Sequence, residues 1–141
     1  MVRLIMGLKG SGKTKQMIDL VNDSVDHESG VVVLIEKGTK LRYDIHHGIR
    51  LVNATEYKLD STAMLRGFIA GLHAGNYDIS HIYMDSLYKI LGAIPEKDTE
   101  DFFVWLRDFG EQHNINFTVT ISADASQASD TLRSYFYHTA V

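Results

Sequence analysis

Short apolar runs recur along the whole chain, at residues 4–6, 31–35, 49–52, 82–84, 117–121 and, more weakly, 135–137. Several of them are continuously apolar rather than alternating, which is typical of strands covered on both faces of a sheet. Amphipathic helical patterns lie between the runs, at residues 14–25, 61–74 and 99–112. Alternating strands and helices favour parallel strands joined by right-handed helical crossovers. The sequence therefore predicts a three-layer α/β/α fold with a mostly parallel sheet.

Two of the predicted helices carry signals at their ends. Asp60 or Ser61 is expected to cap the start of the second helix, and Gly75 is expected to end it. In the third helix, Glu100 and Asp101 lie near the positive end of the helix dipole, where acidic residues are favoured. The polar run at residues 122–130 is predicted to be a loop that covers the ligand or precedes a last helix.

Composition limits the classes of protein that remain. The 141 residues are enough for one domain with a hydrophobic core, and no linker interrupts them, so residues 1–141 are expected to form a single domain. A net charge of -4 gives no basic field for nucleic acid, and the absence of cysteine excludes disulfides and thiolate zinc sites. The opening apolar run of three residues is too short for a signal peptide or membrane span. We therefore expect a cytoplasmic protein without membrane insertion.

The most specific motif is Gly-Leu-Lys-Gly-Ser-Gly-Lys-Thr at residues 7–14, called the glycine loop below, which matches G-x-x-x-x-G-K-[ST]. It follows an apolar strand pattern and opens an amphipathic helix, as a phosphate-binding loop requires. Lys13 is expected to neutralise the β and γ phosphates of a nucleotide, and the Thr14 hydroxyl is expected to coordinate Mg²⁺. The residues predicted to hold the phosphates are Gly7, Lys9, Gly10, Ser11, Gly12, Lys13 and Thr14.

Lys9 has a separate interpretation because a second loop lysine marks the ParA/MinD-like proteins. In their pattern, K-G-G-x-G-K-T, the second lysine follows the first by five positions. Here Lys13 follows Lys9 by four positions. That resemblance therefore fails, and Lys9 is expected to be a solvated lysine near the phosphates.

A metal-binding carboxylate is predicted at Asp85, which directly follows the apolar run at residues 82–84. The alternative is that Asp85 only caps the following helix. Many nucleoside triphosphatases of this kind have a catalytic glutamate directly after this aspartate. Here the position is Ser86, which cannot serve as a base.

A different carboxylate, Glu36, ends the apolar run at residues 31–35. The carboxyl ends of parallel strands face one crevice, so Glu36 is predicted to polarise the attacking water as a general base. The alternative is a surface glutamate paired with Lys37 or Lys40.

Taken together, the segments GLKGSGKT and IYMDS resemble the RecA-like branch of the P-loop NTPases. In the bacterial recombinases a strand ending in a catalytic glutamate follows the phosphate loop, and a serine follows the metal aspartate, as Glu36 and Asp85-Ser86 do here. The resemblance covers residues 4 to 122 and implies ATP and Mg²⁺ as ligands. It also implies that residues 117–122 form the strand whose end senses the γ phosphate, usually with Asn or Gln. This chain has Ser122-Ala123-Asp124 there, which predicts slow hydrolysis.

Two alternatives stay open beside a slow, Mg²⁺-dependent ATPase with Lys13 and Glu36 as its catalytic residues. One is a nucleotide-dependent switch that does not hydrolyse its nucleoside triphosphate and acts on a protein partner. The other is a nucleoside kinase similar to thymidine kinases, whose Asp-x-Arg-Tyr and His-Gly segments are echoed at residues 40–43 and 47–48. Thymidine kinases also carry an Asp-Glu pair and usually a cysteine zinc site, which this chain lacks.

The remaining chemistry-bearing residues favour structural interpretations. No metal-ligand spacing joins the histidines, and adjacent side chains on strands or helices point apart, so no zinc site is predicted. The named histidines are His46, His47, His73, His81, His113 and His138. Aromatic residues crowd the third helix, either as core or as part of a contact between two copies of the chain. At such a contact an arginine would reach a neighbour's γ phosphate, and the candidates are Arg42, Arg50, Arg66, Arg107 and Arg133.

Overall fold

Five parallel strands form one sheet in the part of the chain that the structure describes, residues 1–137 of a computed structural model. The strands are β1 (Val2–Gly7), β2 (Val31–Glu36), β3 (Arg50–Asn53), β4 (Ile79–Met84) and β5 (Asn116–Ser122). The helices are α1 (Lys13–His27), α2 (Thr62–Gly75), α3 (Leu87–Leu91), α4 (Glu96–His113) and α5 (Asp130–Arg133), with 3-10 turns at Ala54–Tyr57 and Ala125–Gln127. The strand order is β1-β5-β4-β2-β3, and every pairing is parallel. The predicted α/β class and parallel sheet are confirmed.

Alternate residues of the central strands enter two separate buried clusters, as the two-residue period of a strand requires. Val33 and Ile35 of β2 belong to a cluster that includes residues of α2 and α4. Val32 and Leu34 belong to the other cluster, which includes residues of α1. Both faces of the sheet are thus covered by helices, which explains why the strands read as continuous apolar runs.

The helix ends agree with the predictions where a local signal existed. Ser61 caps α2, since its hydroxyl oxygen accepts a hydrogen bond from the Met64 N–H at 3.1 Å, and the helix ends at Gly75 as expected. The predicted start of α4 at residue 99 is wrong, because the helix begins directly after Pro95. Its first turn is polar and carries acidic residues, so apolar periodicity does not reveal it.

The weak apolar run at residues 135–137 does not form a full strand. Phe136 makes a single parallel bridge to Leu4, on the side of β1 that β5 leaves open. The Leu4 N–H donates to the Tyr135 carbonyl at 2.7 Å, and the Tyr137 N–H donates to the Leu4 carbonyl at 2.9 Å. Both neighbours of β1 therefore come from the last part of the chain.

A buried histidine, His81, lies under α1 near the amino ends of the strands. Its Nδ1 is 2.8 Å from the Glu28 carboxylate, and its Nε2 is 2.8 Å from the Thr118 hydroxyl. Arg3 donates to that same hydroxyl at 3.2 Å, and the His81 ring stacks on Tyr83 with centroids 4.0 Å apart. Burial lowers the pKa of His81 to about 4, although the bond to Glu28 opposes the shift. The neutral ring with its proton on Nδ1 satisfies this network.

The aromatic residues of α4 serve the core. Phe102 and Phe103 are fully buried, while Trp105 and Phe109 are half-buried and pack against the same cluster. Core packing is therefore confirmed for Phe102 and Phe103, and for the buried part of Trp105 and Phe109.

Two adjacent histidines, which were predicted to point apart, are in contact. The rings of His46 and His47 stack at 4.3 Å, because they lie in a turn and not in the strand or helix that the prediction assumed. His73 and His113 are also in contact, with ring centroids 4.2 Å apart. Within residues 1–137, no three His, Asp or Glu side chains are grouped so that they could hold a metal ion. His138 lies outside the described residues.

No helix within residues 1–137 is both long enough and apolar enough to cross a bilayer.

Candidate functional site

The carboxyl ends of the five strands bring the predicted site residues to one edge of the sheet. Gly7 at the end of β1 pairs with Ser122 at the end of β5. Ile35 pairs with Met84, so that the next residues, Glu36 and Asp85, leave neighbouring strands side by side. The Asp85 N–H donates to the Ile35 carbonyl at 3.0 Å and fixes this arrangement. In parallel α/β sheets this edge is where ligands bind.

The glycine loop leaves β1 at this edge and turns directly into α1. Gly10 and Gly12 both have φ of +87°, a conformation that residues with a side chain rarely adopt. Gly12 is the N-cap of α1, and no side chain in the described part of the chain caps the helix there. The first turn of α1 also contains no acidic residue. The free N–H groups and the helix dipole therefore favour an anion at this position.

Lys13 folds back over the glycine loop. Its Nζ donates to the Leu8 carbonyl at 3.0 Å and to the Ser11 hydroxyl at 3.4 Å. The residue is only 8% exposed, and this burial lowers its pKa, while the charge of Asp85 acts in the opposite direction. Lys13 forms no salt bridge with any residue in the range 1–137. It is a partly desolvated cation that an anionic ligand would stabilise.

Asp85 is held by a residue that the sequence analysis did not identify, Thr120 of β5. The fully buried Thr120 hydroxyl donates to Asp85 Oδ1 at 2.8 Å and accepts a hydrogen bond from the Ser86 N–H at 2.7 Å. Asp85 is 8% exposed, and its second oxygen is free of this bond. The sequence offered no specific signal for Thr120, because β5 alternates polar and apolar residues and Thr118 occupies an equivalent position in it.

The interpretation of Asp85 as a helix cap is wrong. Helix α3 begins at Leu87, its N-cap is Ser86, and no side chain of the described residues bonds to its first turn. Ser86 has φ of 58° and ψ of 68°, a left-handed conformation that is unfavourable for serine. Such strain is common at functional sites. Here it turns the chain so that Asp85 stays at the sheet edge instead of capping α3.

Glu36 is buried as well, with 7% of its surface exposed. Its Oε2 accepts a hydrogen bond from the Leu41 N–H at 3.1 Å. Burial raises the pKa of Glu36, the Leu41 bond partly opposes this, and the charge of Asp85 raises it further. Among the described residues it forms no salt bridge with Lys37 or Lys40, so the alternative of a surface ion pair is wrong. A carboxylate with a raised pKa has the properties of a general base.

Three of the five candidate arginines are engaged elsewhere. Arg107 pairs with Asp108 at 3.1 Å, Arg133 donates to backbone carbonyls of the loop at residues 126–128, and Arg66 lies over Trp105. The other two, Arg42 and Arg50, line a cavity that Glu36 also lines.

The site thus combines the glycine loop, a buried lysine and two buried carboxyl groups, while Thr14 and Lys9 lie exposed on the same loop. Comparison with known proteins assigns no family, because no protein-family model and no curated protein matches the chain. The chemistry of the site is therefore the basis for a function.

Proposed function

We propose that the chain binds ATP together with Mg²⁺ at the glycine loop and hydrolyses it slowly, with the core of a RecA-like P-loop NTPase. One observation carries the proposal: the Asp85 N–H donates to the Ile35 carbonyl next to Glu36, and the glycine loop with Lys13 leaves β1 at this same edge of the sheet. A cation for phosphate, a carboxylate for a metal ion and a carboxylate for water are thus neighbours at one edge of the sheet.

Phosphate binding is assigned to the glycine loop. Lys13 now donates to Leu8 and Ser11, and a bound triphosphate would replace these neutral acceptors with charged oxygens. Charge-assisted hydrogen bonds are about twice as strong as neutral ones. The N–H groups at the start of α1 supply further donors for the phosphates. Lys13 and these N–H groups are therefore the donors assigned to the phosphates.

The residues that fit the metal ion are Thr14 and Asp85. Both offer oxygen ligands, which Mg²⁺ prefers, and Thr120 orients the Asp85 carboxylate so that one oxygen is left for the metal or its bound water. When bound, Mg²⁺ neutralises charge that develops on the β and γ phosphate oxygens.

Glu36 is the proposed base. The water oxygen forms a bond to the γ phosphorus, and Glu36 takes a proton from that water. The bond from the γ phosphorus to the oxygen that bridges the β phosphate breaks, giving ADP and inorganic phosphate. The raised pKa of Glu36 favours this proton transfer.

The end of β5 supports slow turnover. Ser122 pairs with Gly7 beside the glycine loop, and Ala123 donates its N–H to the Gly7 carbonyl at 3.1 Å. Neither residue has an amide side chain that could contact a γ phosphate. The same feature favours the alternative of a switch that binds ATP without hydrolysing it.

The test is ADP formation from Mg-ATP by the wild type and by Lys13→Ala, with ATP affinity measured by titration calorimetry. Lys13→Ala is expected to abolish binding and turnover. Lys15→Ala, which removes an exposed lysine from the same helix turn, is the matched control and should change neither. Undiminished affinity in Lys13→Ala would overturn the site assignment.

A second variant separates hydrolysis from binding. Glu36→Gln is expected to slow ADP formation at least about a hundredfold while ATP affinity is unchanged, because only the proton acceptor is lost. An equal rate in this variant would refute the role of Glu36 as the base. ATP binding by the wild type without ADP formation would instead establish the switch, and light scattering with and without ATP would then report its change of assembly.

A further inference from the structure

A cavity of about 380 Å³ opens beside Glu36, between the edge strand β3, the 3-10 turn Ala54–Tyr57 and helix α2. This volume lies in the range of small-molecule sites, about 300–1,000 Å³. The hydrolysis of ATP by water requires no such space next to the base. We call this cavity the side pocket.

One wall of the side pocket is apolar and aromatic. The rings of Tyr57 and Phe68 have centroids 5.4 Å apart, and Leu51 and Leu72 lie beside them. Tyr57 is 47% exposed, so much of its ring is available to a ligand. Exposed aromatic surface next to aliphatic side chains favours a flat ring, which stacks on such a wall.

Two arginines also line the side pocket. Arg42 and Arg50 both line it, and neither forms a salt bridge with any residue in the described range. Arg42 is held in position by Tyr43, since its guanidinium lies 4.7 Å from the ring centroid and donates to the phenol oxygen at 2.7 Å. Guanidinium groups bind phosphate and carboxylate groups through two parallel hydrogen bonds. Glu36 and Glu56 also line the side pocket, and their charge disfavours an acidic ligand group placed next to either of them.

We propose that the side pocket binds an aromatic small molecule that carries a phosphate or a carboxylate, with its ring on Tyr57 and Phe68 and its acidic group on Arg42 and Arg50. Binding itself does not require ATP. Glu36 lines the side pocket and is also the proposed base, so the bound molecule also alters ATP turnover. This effect on turnover rests on the proposed function.

The test uses uridine 5′-monophosphate as the phosphate probe and indole-3-acetate as the carboxylate probe. Each is titrated against the full chain without ATP, and binding is followed by saturation-transfer NMR and calorimetry. We expect at least one probe to bind with a Kd of about 1 mM or tighter. Uridine, which lacks the acidic group, should bind at least about tenfold more weakly than its monophosphate. The probe that binds shows whether the acidic group of the ligand is a phosphate or a carboxylate.

Two variants locate the binding. Arg50→Ala and Tyr57→Ala should each weaken the probe at least about tenfold, because one removes the partner of the acid and the other removes the stacking surface. Arg107→Ala is the matched control, since this exposed arginine lies on α4 and pairs with Asp108. Failure of both probes to bind, or binding that neither Arg50→Ala nor Tyr57→Ala weakens, overturns the proposal.

Lys13→Ala separates the side pocket from the nucleotide site. In this variant the probe should bind as in the wild type, although ATP binding is lost. Probe binding that disappears with Lys13 would place the probe at the glycine loop and would refute the side pocket. If the wild type binds the probe but does not hydrolyse ATP, only the proposed ATPase activity is refuted.

Discussion

The buried network around His81 makes the stability of this protein depend on pH in a defined direction. In the folded chain the pKa of His81 is lowered to about 4, whereas an unperturbed histidine has a pKa of about 6.5. Between these two pH values His81 is mostly protonated in the unfolded chain and mostly neutral in the folded chain. Stability is therefore lost as the pH falls through this window and is retained above it.

The size of the effect follows from the two pKa values. At pH 5 the unfolded state gains about 2 kcal/mol from protonation that the folded state does not gain, and at pH 7 it gains almost nothing. Acidification from pH 7 to pH 5 is thus expected to cost about 2 kcal/mol through His81 alone. With a urea m-value of about 2 kcal/mol/M, the unfolding midpoint falls by about 1 M.

The assay is urea unfolding at pH 7 and pH 5 for the wild type and for His81→Gln, which cannot titrate. The variant should lose about 2 kcal/mol less than the wild type on acidification, whatever its stability at pH 7. His27→Gln is the control, because the contact with Asp23 raises the pKa of this exposed histidine and its contribution has the opposite sign. Direct titration of the His81 ring by NMR gives an independent value. An equal loss in the wild type and His81→Gln, or a His81 pKa above 6, would refute the reasoning.

Two further predictions concern stability. Thr120→Val should lower the free energy of unfolding by about 2–4 kcal/mol, because it leaves a buried Asp85 oxygen and the Ser86 N–H without their shared partner. Thr120→Ser keeps the hydroxyl and should lower it by only about 1 kcal/mol. Urea unfolding measures both variants, and equal losses would contradict the prediction. Gly30→Ala should destabilise by about 1–3 kcal/mol, since its Cβ would clash with the Asp78 carbonyl oxygen. Gly67→Ala on α2 is the control, since its Cβ would meet nothing within 4 Å, and it should stabilise the protein by about 0.5–1 kcal/mol. Thermal melts compare the two variants. If Gly30→Ala were as stable as Gly67→Ala, the clash with Asp78 would be refuted.

The sequence predicted the features that depend on neighbours along the chain. Continuous apolar runs indicated strands covered on both faces, and the glycine loop indicated a turn from strand to helix, because both are written in consecutive residues. The same holds for the cap of α2, where Ser61 and Met64 are three residues apart. Such local signals need no knowledge of the strand order.

Features that depend on the strand order could not be predicted. Thr120 and Asp85 are 35 residues apart and meet only because β5 lies beside β4. The side pocket likewise combines residues of β3, a 3-10 turn and α2, and Tyr57 carries no motif that would single it out. Whether Glu36 was buried or on the surface was also undecided, since the answer depends on the loop that covers it through Leu41.

The position of β1 in the sheet determines when the glycine loop can become functional during synthesis. Arg3 and Thr118, on the paired strands β1 and β5, are 115 residues apart in sequence, and Phe136 on the other side of β1 comes later still. Contacts between such distant residues form late in folding, and domains fold as units once their chain has emerged. The ribosome thus releases the loop before it releases β5, the strand that supports the loop. A nascent chain that lacks β5 carries every residue of the loop, yet the strand from which the loop leaves has its partner only when β5 takes its place.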